Sequence, residues 1–403
     1  MKVLILNTSP STGGAAIAAR RIGTALGKKG VEVSYAHRRR KLGFYIERLQ
    51  IWVANRFSKK DLFSVDTACW GEDVTRLKEF KEADIVHLHW INQGFVSLRG
   101  LRKILNSGKP VVWTMHDMWP VSGICHYPGD CDGYCENCKS CDCMPARGVN
   151  RLATNVFRAK TKIIKGAGIL FVGCSKWIAS QAARSYLAEG NRFLNIPNPI
   201  DMALYSPCSR RKARDIVGLP QGKKLILFGA QKITDKRKGI EYLIEAAKLL
   251  YQEGLDAEIV VIGGNAEVYV GLFPLNVHCI DYVRQTEKMV QIYNACDVFV
   301  TPSLQDNLPN TIMESLSCAT PCVGFDIGGI PEMIDHKLNG YVAQYKSAED
   351  LARGIKWVLE EADYEALRRA AREKVERCYS EEVVAGKYME LYKEVLDART
   401  GRA

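Results

Sequence analysis

Ten short apolar runs punctuate this chain, five in its first half and five in its second, and longer amphipathic stretches separate most of them. The first five are KVLILN, VEVSYA, DIVHLHW, PVVWTMHD and GILFVGCS; the second five are KLILFGA, AEIVVIGG, VFVTPS, PCVGFD and GYVAQY. Alternation of this kind is the pattern of βαβ units, because parallel strands need a helical crossover and are buried on both faces. AAIAARRIGTALGKKG and VSLRGLRKILNSG read as helices, and the helix after KLILFGA carries Ile240, Leu243, Ile244, Ala247, Leu250 and Tyr251 as a 3.6-residue stripe.

Between the two series lies IPNPIDMALYSP, Ile196 to Pro207, with three prolines in twelve residues. Proline fixes φ and interrupts regular structure, so the segment reads as a linker. The expected fold class is therefore α/β, with two Rossmann-like doubly wound domains, 1–197 and 208–375. A helical segment, 376–403, is expected to pack back toward the first domain. In open α/β sheets ligands bind outside the carboxyl ends of the strands. Two such domains in tandem would present those ends on facing rims of a central cleft.

At 403 residues the chain can bury a large core, and no run approaches the roughly 20 apolar residues of a membrane span. The opening MKVLILN turns polar too soon for a signal peptide and reads as a first strand, so a cytoplasmic protein is expected. Fourteen cysteines would suit a secreted disulfide protein, but eight lie scattered through apolar segments, among them Cys174, Cys296, Cys318 and Cys322. Charge is lopsided. Residues 1–200 hold 30 Lys and Arg against 15 Asp and Glu, whereas 201–403 hold 26 against 30. The basic first half is expected to meet something anionic.

Chemistry concentrates after the strands. In TPSLQDNLPNTIMESLSCATPCVGFD a strand ends at Pro302-Ser303, a polar loop follows, and a helix opens near Pro309 to Thr311. Free N–H groups at a helix start suit phosphate, and Asp306 and Glu314 would flank that spot as acceptors for sugar hydroxyls. The bland alternative makes Glu314 the last member of a Thr311-x-x-Glu314 capping box. In FGAQKITDKRKGIEYLIEA, Lys232, Lys236, Arg237 and Lys238 fall in a loop between strand and helix, as a pyrophosphate clamp or as a solvated charge run. Gly13 and Gly14 follow the first strand and open a helix, where a ligand can approach the backbone closely. His116 and Asp117 follow a buried strand directly, as His89 and Trp90 follow another.

Asp306 and Glu314, separated by seven residues, resemble the acidic–seven residues–Glu motif of glycosyltransferase family 4, retaining enzymes of the GT-B fold. Lys238-Gly239, GGIPEMI and NGYV resemble further phrases of that family. The resemblance implies that Glu314 binds the ribose of a donor nucleotide and Asp306 the transferred sugar. It implies His116, Asp306 and Glu314 as catalytic residues, with Gly13, Gly14, Lys232, Arg237, Lys238, Asn307, Leu308, Asn310, Thr311 and Glu314 around the donor. Two departures stand out: the first acid is Asp rather than Glu, and Asn307-Leu308-Pro309 replaces the usual Gly-Phe-Gly. Ala230 also stands where the family's arginine would be. The run MHDMWP…G-x-C-x-Y resembles the subgroup that makes bacterial exopolysaccharide or capsule. The implied function is retaining transfer from a UDP- or GDP-sugar to a glycan or lipid-linked acceptor, with no cofactor for catalysis. A nucleotide-sugar epimerase on the same scaffold is the alternative.

Two features stand apart from that resemblance. CHYPGDCDGYCENCKSCDC, the insertion at 125–143, packs six cysteines and His126 into nineteen residues. Its CxxC spacings would let Cys131, Cys135, Cys138 and Cys141 hold one structural zinc; reduced thiols or a local disulfide are the alternative. From His37 to Lys60, eight cations interleave with Phe44, Tyr45, Ile51, Trp52 and Phe57. That composition suits peripheral docking on an anionic inner-membrane surface, or else a helix packed on the sheet with a solvated polar face. A zinc-containing nucleic-acid binder is the remote alternative. No nucleic-acid partner is expected, since these aromatics adjoin aliphatic residues on one helix and no reader module is recognisable.

Overall fold

The computed structural model describes residues 1–139, 141, 143, 144 and 151–400. Residues 140 and 142 of the 125–143 insertion, and 401–403 of the helical segment, lie outside them. The chain forms two compact units, Met1–Asn198 with Val384–Ala403, and Pro199–Val383.

The first unit holds β1 (Lys2–Leu6), β2 (Glu32–Ala36), β3 (Ile85–Leu88), β4 (Val111–Met115), β5 (Leu170–Gly173) and β6 (Arg192–Asn195). They pair in the order β2-β1-β3-β4-β5-β6, and every pair is parallel. All residues of β3, β4 and β5 are buried, as near-continuous apolar runs in a sheet covered on both faces should be. On one face Trp113 stacks on Phe171 at 5.7 Å, and Phe171 on Phe193 at 5.1 Å. On the other, Val3, Ile5, Val112 and Val172 meet Ala19, Ile22 and Leu26 of the helix Gly14–Lys28. The same cluster contains Val384, Tyr388, Leu391 and Tyr392 of the last helix, Glu381–Thr400. Strand order reverses between β1 and β3, so the loops leaving those two strands diverge and open a crevice.

The second unit holds β7 (Lys224–Lys232), β8 (Ala257–Gly264), β9 (Val277–Ile280), β10 (Val298–Thr301), β11 (Cys322–Phe325) and β12 (Gly340–Ala343). Their order is β12-β11-β10-β7-β8-β9, again all parallel, and here the reversal falls between β7 and β10. The helix Ile240–Gln252 buries Ile240, Leu243, Ile244, Ala247 and Leu250 as its periodicity predicts. Tyr251, expected in the same stripe, is instead 58% exposed, because it lies at the helix's end beyond the reach of the sheet. The chain beyond Tyr345 is helical, through Ala348–Lys356, Tyr364–Tyr379 and Glu381–Thr400. Among the described residues no helix is long and apolar enough to cross a membrane.

Candidate active site

In the second unit the reversal brings two loops together. The chain leaves β7, turns through Lys236–Lys238, and enters its helix at Gly239. Asp235 caps that turn, accepting from Arg237 N at 3.1 Å, and its other carboxylate oxygen meets the Arg237 guanidinium at 2.7 Å. Gly239 has φ 67°, and a Cβ there would stand 2.0 Å from Pro302 O at the end of β10. Only glycine permits so close a crossing. Leu304 N then donates to Arg237 O at 2.7 Å, and Lys238 Nζ meets Asp306 Oδ2 at 2.5 Å. A cation and a carboxylate from the two motifs thus form one pair, 29% and 12% exposed, at the place where a doubly wound sheet takes its ligand.

The loop continues through buried Asn307 and Leu308 into the helix Asn310–Ser317, whose N-cap is Pro309. The cap offers no side chain to the first-turn amides, which suits an anion. With Pro309 as cap, Thr311 and Glu314 do not form a capping box. Glu314 is buried and accepts from Tyr293 Oη at 2.9 Å. Burial, then the Glu314 charge, drives the Tyr293 pKa far up, so the phenol stays a donor. Tyr293 is held in turn by the edge of Phe299, 6.1 Å between centroids, and by Thr320 Oγ1, which donates to its carbonyl at 2.8 Å. Sequence reasoning missed Tyr293: a tyrosine on an apolar helix face reads as core.

Lys238, Asp306, Asn307, Leu308, Asn310, Thr311 and Glu314 all lie on these two loops and the helix they lead into. Lys232 closes β7 in an exposed position, and Arg237 faces Asp235. A basic pocket of about 500 Å³, lined by Arg210, Arg214, Lys223 and Lys224, lies instead at the opposite end of the strands. Its arginines bind Asp297 at 2.9 and 2.8 Å just before β10, so they anchor the sheet rather than await a ligand.

In the first unit Gly13 ends the loop after β1 with nothing within 4 Å of where a Cβ would stand, and Gly14 opens the helix. His116 follows β4, and its Nε2 lies 2.9 Å from Nδ1 of His89, which follows β3. The two rings stack at 5.2 Å. Burial lowers the His116 pKa to about 4 although Asp117 pulls upward, and burial drives His89 well down. Both are neutral imidazoles at pH 7. Behind them His87 bonds Thr114 Oγ1 and Tyr392 Oη, each at 2.7 Å, and Tyr388 Oη reaches Thr114 Oγ1 at 2.8 Å.

His126, counted with the cysteines on sequence, belongs to a different network. Its Nδ1 lies 2.7 Å from Asp117 Oδ2 and its Nε2 2.7 Å from Asp66 Oδ2. Burial works against its charge, but the two carboxylates outweigh burial and hold it at about 10, as a cation. The zinc expectation is not supported. Among the described residues no group of three or more His, Cys, Asp or Glu side chains is disposed to hold a metal. Of the four, Cys138, at φ 50°, buries its thiol against Gly123 and close to Cys125 and Cys141, while Cys131 and Cys135 stay partly exposed. Among the described residues no disulfide joins any of the fourteen cysteines.

Comparison with known proteins accounts for both units. A model described as "Glycosyltransferase Family 4" matches residues 12–204, and one described as "Glycosyl transferases group 1" matches residues 209–375. The chain is similar to D-inositol 3-phosphate glycosyltransferase of Pseudarthrobacter chlorophenolicus, 24% identical over 379 residues, 87% of this chain and 84% of that protein. It is 29% identical over 178 residues to N,N'-diacetylbacillosaminyl-diphospho-undecaprenol alpha-1,3-N-acetylgalactosaminyltransferase of Campylobacter jejuni, 43% of this chain and 46% of that protein. In fold it resembles Anabaena HepE, solved in complex with UDP, with TM-score 0.63 at 16% identity over 98% of this chain and all of that one. Two parallel sheets of Rossmann type, each matched in turn by a glycosyltransferase model, decide for a transferase over an epimerase or a nucleic-acid binder, and the chain belongs to the family 4, group 1 glycosyltransferases of the GT-B fold.

Proposed function

We infer that the second unit binds a uridine or guanosine diphosphate sugar and that the first unit binds a lipid-linked glycan acceptor, in bacterial surface-polysaccharide synthesis. The observation that carries the reading is the Lys238–Asp306 pair at the β7/β10 reversal, with Glu314 fixed by Tyr293 one helix turn beyond. Glu314 takes the ribose hydroxyls and Asp306 the hydroxyls of the transferred sugar. Lys238 and the amides at the start of the helix Asn310–Ser317 stabilise charge on the departing diphosphate, and these contacts strengthen as the sugar–phosphate bond breaks.

Configuration at the anomeric carbon is retained, the acceptor hydroxyl attacking from the face that the diphosphate leaves. His116, uncharged, turns Nε2 to His89 and Nδ1 to Cys174 Sγ at 3.9 Å, so its part is to shape the acceptor side of the first unit. The solved HepE complex with UDP and the undecaprenol-linked substrate named for the Campylobacter relative support the donor and acceptor classes. Enzyme of this kind would work as a cytoplasmic protein at the membrane face where such acceptors lie.

Thermal stabilisation by UDP set beside GDP tests the donor. Glu314→Ala should remove both that stabilisation and transfer to a lipid-linked acceptor, while the circular dichroism spectrum is kept. Near-normal turnover in that variant would overturn the site.

A further inference from the structure

The helix Leu42–Ala54 is amphipathic in the wrong sense for a soluble protein. Its buried residues are Glu47, Arg48 and Ile51, whereas Leu42, Tyr45, Leu49 and Val53 stand 66%, 59%, 56% and 51% exposed. Spaced at i, i+3, i+7 and i+11, these four make one apolar stripe, and Phe57, 63% exposed, prolongs it past the helix end. Such a face marks a partner.

Charge says which partner. Exposed Arg39, Arg40 and Lys41 precede the stripe, and exposed Arg56, Lys59 and Lys60 follow it. The acids within 38–61 are Glu47, which is buried, and Asp61, which is half-buried. Glu72 meets the segment through the backbone N–H groups of Arg39 and Arg40, at 2.7 and 2.8 Å. An apolar face between two cationic ends matches a bilayer with anionic headgroups, into which the stripe sinks while the cations stay at headgroup level.

The buried face leads elsewhere. Arg48 pairs with Asp66; Asp66 holds His126, His126 holds Asp117 at 2.7 Å, and Asp117 accepts from Trp90 Nε1 at 2.8 Å. Asp117 directly follows His116, and Trp90 directly follows His89. The helix's first turn also abuts the loop after β3, where a Cβ on Gly43 would lie 3.0 Å from Gly94 O.

We propose that the helix Leu42–Ala54 seats the first unit in an anionic lipid surface, and that the chain Arg48–Asp66–His126–Asp117 carries this seating to the loop of His116. The second half rests on the active-site reading of His116; the first half does not. Three buried charge-assisted links in series leave little slack, so a shift of the helix moves Asp117.

The test uses the full chain with vesicles of phosphatidylcholine, alone or mixed with phosphatidylglycerol. Co-sedimentation is expected with the mixed vesicles only, falling at least tenfold for Leu49→Glu/Val53→Glu, a pair exposed enough to leave the fold intact. Equal retention of the variant, equal retention on phosphatidylcholine alone, or a dimer that the variant dissolves would each overturn the lipid assignment. Hydrogen exchange across residues 116–126 should slow several-fold when mixed vesicles bind the natural chain, and stay unchanged in the variant. Unchanged exchange in vesicle-bound natural protein overturns the coupling. Neither measurement involves donor or turnover, so UDP binding reports separately on the transferase site.

Discussion

Tyr293→Phe removes one oxygen from a fully buried ring and leaves its packing on Phe299 in place. The lost group is the O–H that Glu314 accepts at 2.9 Å. A hydrogen bond to a charged acceptor contributes about 1.5–3 kcal/mol, and in a unit of this size that corresponds to roughly 3–12 °C in Tm. Freed on one side, Glu314 no longer meets a ribose in a fixed pose, and we expect about tenfold weaker UDP binding, near 1.4 kcal/mol. Calorimetric titration with UDP, beside a thermal melt of the ligand-free protein, separates the two effects. A variant that melts lower but binds UDP unchanged would show that Tyr293 serves the core alone. One unchanged in both would refute the idea that this phenol positions Glu314.

Lys238→Met should weaken UDP binding by about tenfold and lower kcat as well, because the lysine acts on charge that grows in the transition state; steady-state kinetics in donor concentration reads both. Gly239→Ala forces a Cβ to 2.0 Å from Pro302 O at positive φ, so at least about 1–2 kcal/mol of stability should be lost, together with donor affinity, measured by denaturant melts with and without UDP. Acid should destabilise the first unit. Burial, with His116 adding to it for His87 and Asp117 opposing it for His116, leaves these groups titrating near 3 and 4 when folded but near 6.5 when unfolded. The unfolded chain therefore binds more protons, and their stabilisation is whole above about pH 6.5 and lost as pH falls toward 4. Buried Glu47, raised to about 7, opposes with one proton, and His126, raised to about 10, opposes only near pH 6.5, so the net slope should reach about 1.4 kcal/mol per pH unit near pH 5, visible in melts between pH 6 and 4.5.

How much of this could be read from sequence depended on burial. β3, β4 and β5 are covered on both faces, so DIVHLHW, PVVWTMHD and GILFVGCS announce themselves as apolar runs. β6 and β9 are edge strands whose RFLN and VHCI are mostly half-buried, and the apolar signal fades with the packing. Asp306, Glu314 and Lys238 were legible as loop residues after strands. That Lys238 and Asp306, 68 positions apart, would bond each other follows only from strand order. Tyr293 carried no signal, since its oxygen matters only beside Glu314. The cysteine spacings gave no zinc centre that the structure supports, because spacing fixes separation along the chain and not direction: Cys138 turns its thiol inward beside Cys125 and Cys141, while Cys131 and Cys135 stay nearer the surface. The helix Leu42–Ala54 was read for its basic residues and aromatics; which side faces inward depended on Asp66 meeting Arg48.

The last helix returns to a unit whose other residues end at Asn198. During synthesis, the ribosome must complete the entire second unit before Tyr388 and Tyr392 exist to satisfy Thr114 and His87. Until then one face of the first sheet is covered only in part, by the helix Gly14–Lys28, leaving apolar surface open to chaperones or to aggregation and the histidine row without its tyrosines. A chain stopped at Val383 would contain every motif residue singled out above and still lack a finished first unit.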